Sequence, residues 1–326
     1  MTAAGRKFLV TGGTGFIGAA LVRRLVTMGG DVRVFDDNSR GAKRRLGDVA
    51  GDVELVQGDI RDSQAVSAAL KGIECVWHLA YVNGTRFFYE RPELVLEVGV
   101  KGMLNVLDGC RTHGVEEVML ASSSEVYQTP AVVPTNESIA LTVPDPLNPR
   151  YSYGGGKIIS ELLALNYGRK WFDRVVVFRP HNVYGPDMGW EHVIPELVLR
   201  LRQSIASDPA GPSVELRIQG TGKETRAFAH VDDVCDALMI LYDKAEDIEI
   251  FHVGNDEEVT IADLATRIGA CANRNVIVMP GEAPAGATPR RCPDITKLRS
   301  LGYIPRVPLA EGLPPVVEWY LNAHQT

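Results

Sequence analysis

The stretch Phe8-Leu9-Val10-Thr11-Gly12-Gly13-Thr14-Gly15-Phe16-Ile17-Gly18 runs an apolar strand into spaced glycines and then directly into an apolar-periodic helix. Gly13, Gly15 and Gly18 match a G-x-G-x-x-G spacing, and Gly12, Gly15 and Gly18 match a looser one. Such a turn lets backbone N–H groups approach a pyrophosphate, and the helix N-terminus adds positive potential there. A glycine triplet alone marks many ordinary tight turns. Here the context decides. Ile17, Leu21, Leu25 and Val26 share one helical face. A second strand, Val32-Arg33-Val34-Phe35, ends in Asp36-Asp37. An acidic residue about twenty positions past the glycines is where a ribose hydroxyl is held. The stretch therefore predicts a bound dinucleotide. Gly12, Gly15, Phe16, Ile17 and Gly18 would meet its pyrophosphate, with Asp36, Asp37 and Asn38 at its ribose. A carboxylate there repels a 2′-phosphate, which favours NAD over NADP. Arg33 and Arg40 are the nearby cations that could instead accept such a phosphate.

Outward from this turn, strands and helices alternate. Strands are expected at Lys7–Thr11, Val32–Phe35, Val53–Gln57, Cys75–Leu79, Val118–Ala121 and Arg174–Arg179. Helices are expected between them, at Gly15–Met28, Ser63–Leu70, Pro92–His113 and Tyr153–Lys170. That rhythm implies an α/β fold, a Rossmann-type doubly wound parallel sheet covered on both faces. Ligands of such sheets bind at the carboxyl ends of the strands. After Arg179 the rhythm changes, with prolines at 180, 186, 195, 209 and 212 and a second dense patch over Pro280–Pro293. Residues 207–213 read as an exposed loop. Further helices are expected at His230–Lys244 and Ile261–Cys271, and a strand at Ile248–Val253. The expected division is a dinucleotide-binding domain over 1–179 and a smaller C-terminal substrate-binding domain over 180–326. The strand near 248–253 would return to the first domain.

The chain has 326 residues, 45% of them hydrophobic, with a net charge of −7. That charge argues against a general nucleic-acid or membrane surface, so a phosphate-bearing ligand needs a local cluster of cations. No apolar run reaches transmembrane length, and the first residues lead into a strand without a signal-peptide pattern. Cys75, Cys110, Cys235, Cys271 and Cys292 are scattered, with no C-x-x-C pair. The expectation is a cytoplasmic protein with reduced thiols and neither a metal nor a disulfide framework.

Tyr153-Gly154-Gly155-Gly156-Lys157 places a phenol and an ammonium one helical turn apart. The lysine charge would lower the tyrosine pKa, and an oxidised nicotinamide would push the same way. Such a tyrosine can take a proton from a hydroxyl while hydride leaves its carbon. Each glycine inside a helix costs about 1 kcal/mol relative to alanine, so close approach of a ligand or another element has to compensate. Upstream, the strand Val118–Ala121 ends in Ser122-Ser123-Ser124-Glu125-Val126-Tyr127. Hydroxyls at that end could bond the oxygen being oxidised.

These residues resemble the extended short-chain dehydrogenase/reductase family, in its nucleotide-sugar epimerase, dehydratase and decarboxylase group. The resemblance covers nearly the whole chain. It rests on Thr11–Gly18, Asp36, Gly58-Asp59-Ile60, His78-Leu79-Ala80, Ser123–Tyr127, Tyr153 with Lys157, Arg179–Pro186 and Gly220–Phe228. It implies that Asp59 and Ile60 flank an adenine and that Leu79 and Ala80 line the cofactor path. It makes Tyr153 the base, Ser123 the partner of the reacting hydroxyl, and Lys157 the group orienting the nicotinamide ribose. Asn182 and Arg226 would contact the diphosphate of a nucleotide-diphosphate sugar, with Arg290 or Arg291 as a second cation. His192 would line a sugar pocket of its own kind. Members share an opening step in which hydride passes from the sugar, usually at C4, to NAD. Ser124 stands where 4,6-dehydratases carry an aspartate, while Glu125 remains, and serine is a poor acid for releasing water. Gly99 stands where the family usually has asparagine. The resemblance therefore implies a 4-epimerase acting as a homodimer through the Pro92–His113 and Tyr153–Lys170 helices. Dehydration, or decarboxylation of a uronate held by Arg291, is the alternative on the same scaffold. A non-catalytic dinucleotide-binding regulator would need none of Ser123, Tyr153 and Lys157.

Overall fold

The computed structural model describes residues 3–283 and 288–323. Residues 284–287 of the Pro280–Pro293 patch thus lie outside the described residues. A seven-stranded sheet organises the fold, in the spatial order Glu249–Val253, Arg174–Pro180, Glu117–Ala121, Cys75–His78, Lys7–Thr11, Asp31–Asp36, Val53–Gln57. Every pairing in it is parallel. The alternation of apolar residues explains why both faces are covered. Phe8, Val10, Val32, Val34, Cys75, Trp77, Val176 and Phe178 build one core. Leu9, Phe35, Val76, Val118, Val175 and Val177 build the other. Successive residues of a strand point to opposite faces, and a parallel sheet buries both.

Strand order reverses between Lys7–Thr11 and Cys75–His78, which opens a crevice at their carboxyl ends. The chain turns there at Gly12–Gly15, and a helix follows over Phe16–Thr27. The strand after Cys75 ends at His78, one residue short of the expectation, because Leu79 and Ala80 leave the sheet to border the glycine turn. A Cβ on Gly12 would lie 2.7 Å from the Ala80 nitrogen.

The predicted Pro92–His113 helix is not uniform. It runs as Pro92–Leu96, a π turn over Glu97–Lys101, and Gly102–His113. Gly99 sits at the middle of that π turn. The Tyr81 hydroxyl occupies the space a Gly99 side chain would take, so an ordinary residue does not fit. A third apolar core, including Tyr184, Ile194, Leu197, Leu216, Ile261, Leu264, Leu313 and Tyr320, lies in the C-terminal part. Short strands there bring distant segments together. Arg290–Arg291, expected only as part of a turn-rich patch, pairs in parallel with Thr225-Arg226.

Candidate active site

The site begins at the carboxyl end of Glu117–Ala121. Ser123 is extended at φ −162° and its hydroxyl accepts from the Glu125 nitrogen at 3.1 Å. The short 3-10 turn Ser124–Tyr127 that follows packs on the helix Ser152–Trp171. That helix is held in place by a buried ion pair, Glu161 to Arg179 at 2.6 Å. Ser122 also donates to Glu161, and Arg179 to the Tyr127 hydroxyl. One polar cluster thus fixes three elements, and all of its members are satisfied, as a buried charged network requires.

On the same helix Tyr153 and Lys157 are both buried, 7% and 3% exposed. The phenol lies close enough to Ser123 for that hydroxyl to act on it. Its ring stacks on Phe88 at 4.9 Å. Lys157 Nζ donates to the Ala121 carbonyl at 2.6 Å and lies 5.9 Å from the Tyr153 ring centroid. The expectation that Lys157 lowers the Tyr153 pKa is corrected by this geometry. Burial pushes the phenol well above its ordinary value, the neighbouring Ser123 hydroxyl opposes that only in part, and Glu125 adds to it. Burial also pulls the Lys157 ammonium down to about 7, against Glu161. Desolvation outweighs the mutual influence of the two groups.

The three helix glycines now have different explanations. A Cβ on Gly154 would lie 2.8 Å from the Glu125 carbonyl and would overlap the Gln128 amide. One on Gly156 would overlap the Tyr81 hydroxyl. Gly155 faces only Val143, at 3.5 Å. Close approach of neighbouring elements thus accounts for two of the three.

Beyond Tyr153 stands a charged cluster. Glu125 accepts from Arg291 Nη1 at 2.5 Å, and Arg291 also donates to the Thr288 hydroxyl at 3.1 Å. Arg226 donates to the Thr225 and Thr288 carbonyls at 2.7 and 2.8 Å. Burial raises the Glu125 carboxyl pKa, but Arg291, with Arg150 and Arg226, brings it below the ordinary value. Burial, with Arg291 beside it, lowers Arg226 to about 10, so it stays charged at neutral pH. Ser124 is buried next to this cluster. Asn182 holds a left-handed backbone, φ 39°, and donates to the Ala227 carbonyl at 3.0 Å. His192 stands apart, in a bridge between the front loop and the C-terminal part. There Arg40 pairs with Glu191 at 3.4 Å, and Arg44 and Arg45 pair with Asp187.

At the glycine turn, no side chain caps the Phe16–Thr27 helix, whose N-cap is Gly15. The Asp36 carboxylate accepts from Thr14 N at 3.0 Å and Asn38 N at 2.8 Å. Asp37 is exposed and accepts from Ser39. Arg33 is turned to Glu54 and two carbonyls, and Arg40 lies over Phe87, so both cations near Asp36 are engaged elsewhere. Asp59 is paired with Arg61 at 2.6 Å, and Ile60 is buried against Gly102.

A family model described as the NAD dependent epimerase/dehydratase family matches residues 8–254. The chain belongs to that family. Among its relatives, the UDP-N-acetyl-alpha-D-glucosaminuronate decarboxylase of Bacillus cytotoxicus is 29% identical, over 97% of this chain and 98% of the relative. The Thermus thermophilus UDP-glucose 4-epimerase, solved with NAD, superposes with a TM-score of 0.83 at 26% identity, covering 98% of this chain and all of that one (100%). DesIV of Streptomyces venezuelae, a dTDP-glucose 4,6-dehydratase solved as a double mutant with NAD, gives a TM-score of 0.83 at 29% identity, with 97% of each chain covered. NAD is the cofactor of the family, and the uncapped helix start, the glycine cradle and Asp36 fit it.

For this family member, sequence reading missed three groups. Arg150 precedes the Ser152–Trp171 helix and acts electrostatically on Glu125 and Arg226. Thr288 joins Arg226 to Arg291. Tyr81 packs against Lys157 and Tyr153. No local pattern marks them, because each acts at least in part on residues far away in the chain.

Proposed function

We propose that this protein is a nucleotide-sugar 4-epimerase that oxidises C4 of its substrate and returns the hydride to the opposite face. The carrying observation is the buried Tyr153 phenol beside Ser123, with Lys157 one turn along the same helix. NAD, when bound, accepts the hydride and gives it back. Gly12, Gly15, Phe16, Ile17 and Gly18 would hold its pyrophosphate, with Asp36, Asp37 and Asn38 at the ribose. Asp59, Ile60, Leu79 and Ala80 would line its path. The positive charge of the oxidised nicotinamide, when NAD is bound, would favour the Tyr153 phenolate against its burial. That phenolate would take the C4 hydroxyl proton while Ser123 holds that oxygen, and Lys157 would supply positive charge on the cofactor side. Asn182, Arg226 and Arg291 would hold the diphosphate side of the sugar nucleotide, with charge-assisted contacts from the two arginines. His192 would act at the edge of the pocket.

Glu125 weighs against dehydration. Releasing water requires a proton donor, and Arg291 holds Glu125 as a carboxylate while Ser124 is no acid. One observation favours a second reading, decarboxylation of a nucleotide-diphosphate uronate. Arg150, Arg226 and Arg291 surround one carboxylate, which leaves positive charge over for a second anion. The relative from Bacillus cytotoxicus carries the name of such a decarboxylase.

Mass spectrometry on a panel of nucleotide-diphosphate sugars incubated with the enzyme and NAD separates these readings. A product of unchanged mass and altered retention is expected. Loss of carbon dioxide would replace the first reading by the second, and loss of water would refute both. We further infer a cytoplasmic homodimer. Exposed Leu96, Ile159 and Leu162, at 38%, 40% and 56%, support a face formed by the two long helices.

A further inference from the structure

Tyr81 lies on the cofactor side of the site but takes no part in the chemistry described above. It follows Leu79 and Ala80 where the chain leaves Cys75–His78. Its ring centroid is 3.9 Å from Lys157 Nζ, and its ring meets that of Tyr153 edge-on at 5.1 Å and 84°. Its hydroxyl is buried, makes no hydrogen bond among the described residues, and enters a slot floored by Gly99 and Gly156. An unpaired buried hydroxyl and two glycines inside helical segments are each unfavourable. What the arrangement provides is depth: it lets an aromatic face reach the ammonium.

We propose that Tyr81 is the positioning residue of Lys157, its ring face holding the ammonium protonated against the Ala121 carbonyl, with Gly99 and Gly156 as the slot that admits the ring. The proposal rests on the reading of Lys157 as the cofactor-side cation. A cation over an aromatic face is attracted by the ring quadrupole, more strongly where water is excluded. The other groups around Lys157 do not replace this. His78, on the neighbouring strand, is neutral, because burial and Lys157 hold it down to about 3. Tyr153 is held as a neutral phenol by its burial. Glu161, one turn along the helix, favours the ammonium but is committed to Arg179. Burial works against the charge, so the ring face adds to a balance that already lies near neutral pH.

The test is a direct titration of Lys157 by NMR in lysine-labelled, cofactor-free protein, with the signal assigned by its loss in Lys157→Arg. Tyr81→Phe keeps the face and is expected to titrate with wild type. Tyr81→Leu keeps most of the bulk without the face, and its Lys157 is expected to titrate about one unit lower, a tenfold change in the protonation equilibrium. Gly99→Ala, which pushes the ring out of its slot, is expected to shift in the same direction and carries the test should Tyr81→Leu not fold. The alkaline limb of the kcat profile should move with the titration. A Lys157 pKa unchanged in the variant that lacks the seated ring, or a shift in Tyr81→Phe as large as in Tyr81→Leu, overturns the proposal. The titration needs no turnover. Its failure is therefore distinct from failure of the reaction assigned above, which Tyr153→Phe tests.

Discussion

At Glu125 two opposing effects meet, and the arginines win. Burial favours the neutral acid, yet the Arg291 ion pair, aided by Arg150 and Arg226, brings its pKa below the ordinary carboxyl value. A carboxyl whose folded pKa is depressed contributes stability that is fully present above its unfolded value, about 4.3, and is lost as pH falls through the folded one. Glu125→Gln is therefore expected to be less stable than wild type at pH 7, with the difference shrinking in acid. Urea unfolding at several pH values checks this. Tyr153→Phe is expected to lower turnover about 10²- to 10⁴-fold, the usual worth of a general base, while NAD still binds. Parallel kinetics and cofactor titration decide it. Arg226→Ala should weaken sugar-nucleotide binding about tenfold or more through loss of a charge-assisted contact. Calorimetric titration with the reaction's nucleoside diphosphate measures that.

At the scale of the element, the Ser152–Trp171 helix shows why propensity alone misleads. Glycine to alanine inside a helix ordinarily stabilises by about 1 kcal/mol. Gly155→Ala should follow that rule, since its Cβ would meet only Val143, at 3.5 Å. Gly154→Ala should do the reverse, at a cost of about 1–3 kcal/mol, because a backbone carbonyl lies 2.8 Å from the new carbon. Melting temperatures of the two variants, measured side by side, give opposite signs if the packing is as described. The π turn over Glu97–Lys101 belongs to the same scale. Tyr81 fills the space beside Gly99 at its centre and precedes the whole helical segment, so no window of sequence around Gly99 announces that contact.

For the whole molecule, the parallel sheet brings the glycine turn, Asp36, Leu79 and Ser123 to one edge, at the carboxyl ends of Lys7–Thr11, Asp31–Asp36, Cys75–His78 and Glu117–Ala121. The bridge of Arg44 and Arg45 to Asp187 then ties the front loop to the C-terminal part. Among the described residues no helix is long and apolar enough to cross a membrane. The exposed Leu162 gives the proposed homodimer a test at this scale. Leu162→Asp should convert dimer to monomer in sedimentation velocity while near-native circular dichroism is kept. A wild-type chain that sediments only as monomer refutes the assembly.

The glycine turn, the alternating strands and the Tyr153–Lys157 pair were legible in the chain because each is local. A tight turn, a period of two and a period of 3.6 are written in neighbouring residues. Tertiary structure alone decided that Arg150, Arg226 and Arg291 surround Glu125, that burial dominates the pKa values of Tyr153 and Lys157, and that Tyr81 seats itself between Gly99 and Gly156. Those properties depend on desolvation and on contacts between residues remote in the chain. Glu125 and Arg291 meet across 166 positions, a distance over which no periodicity or turn signal carries.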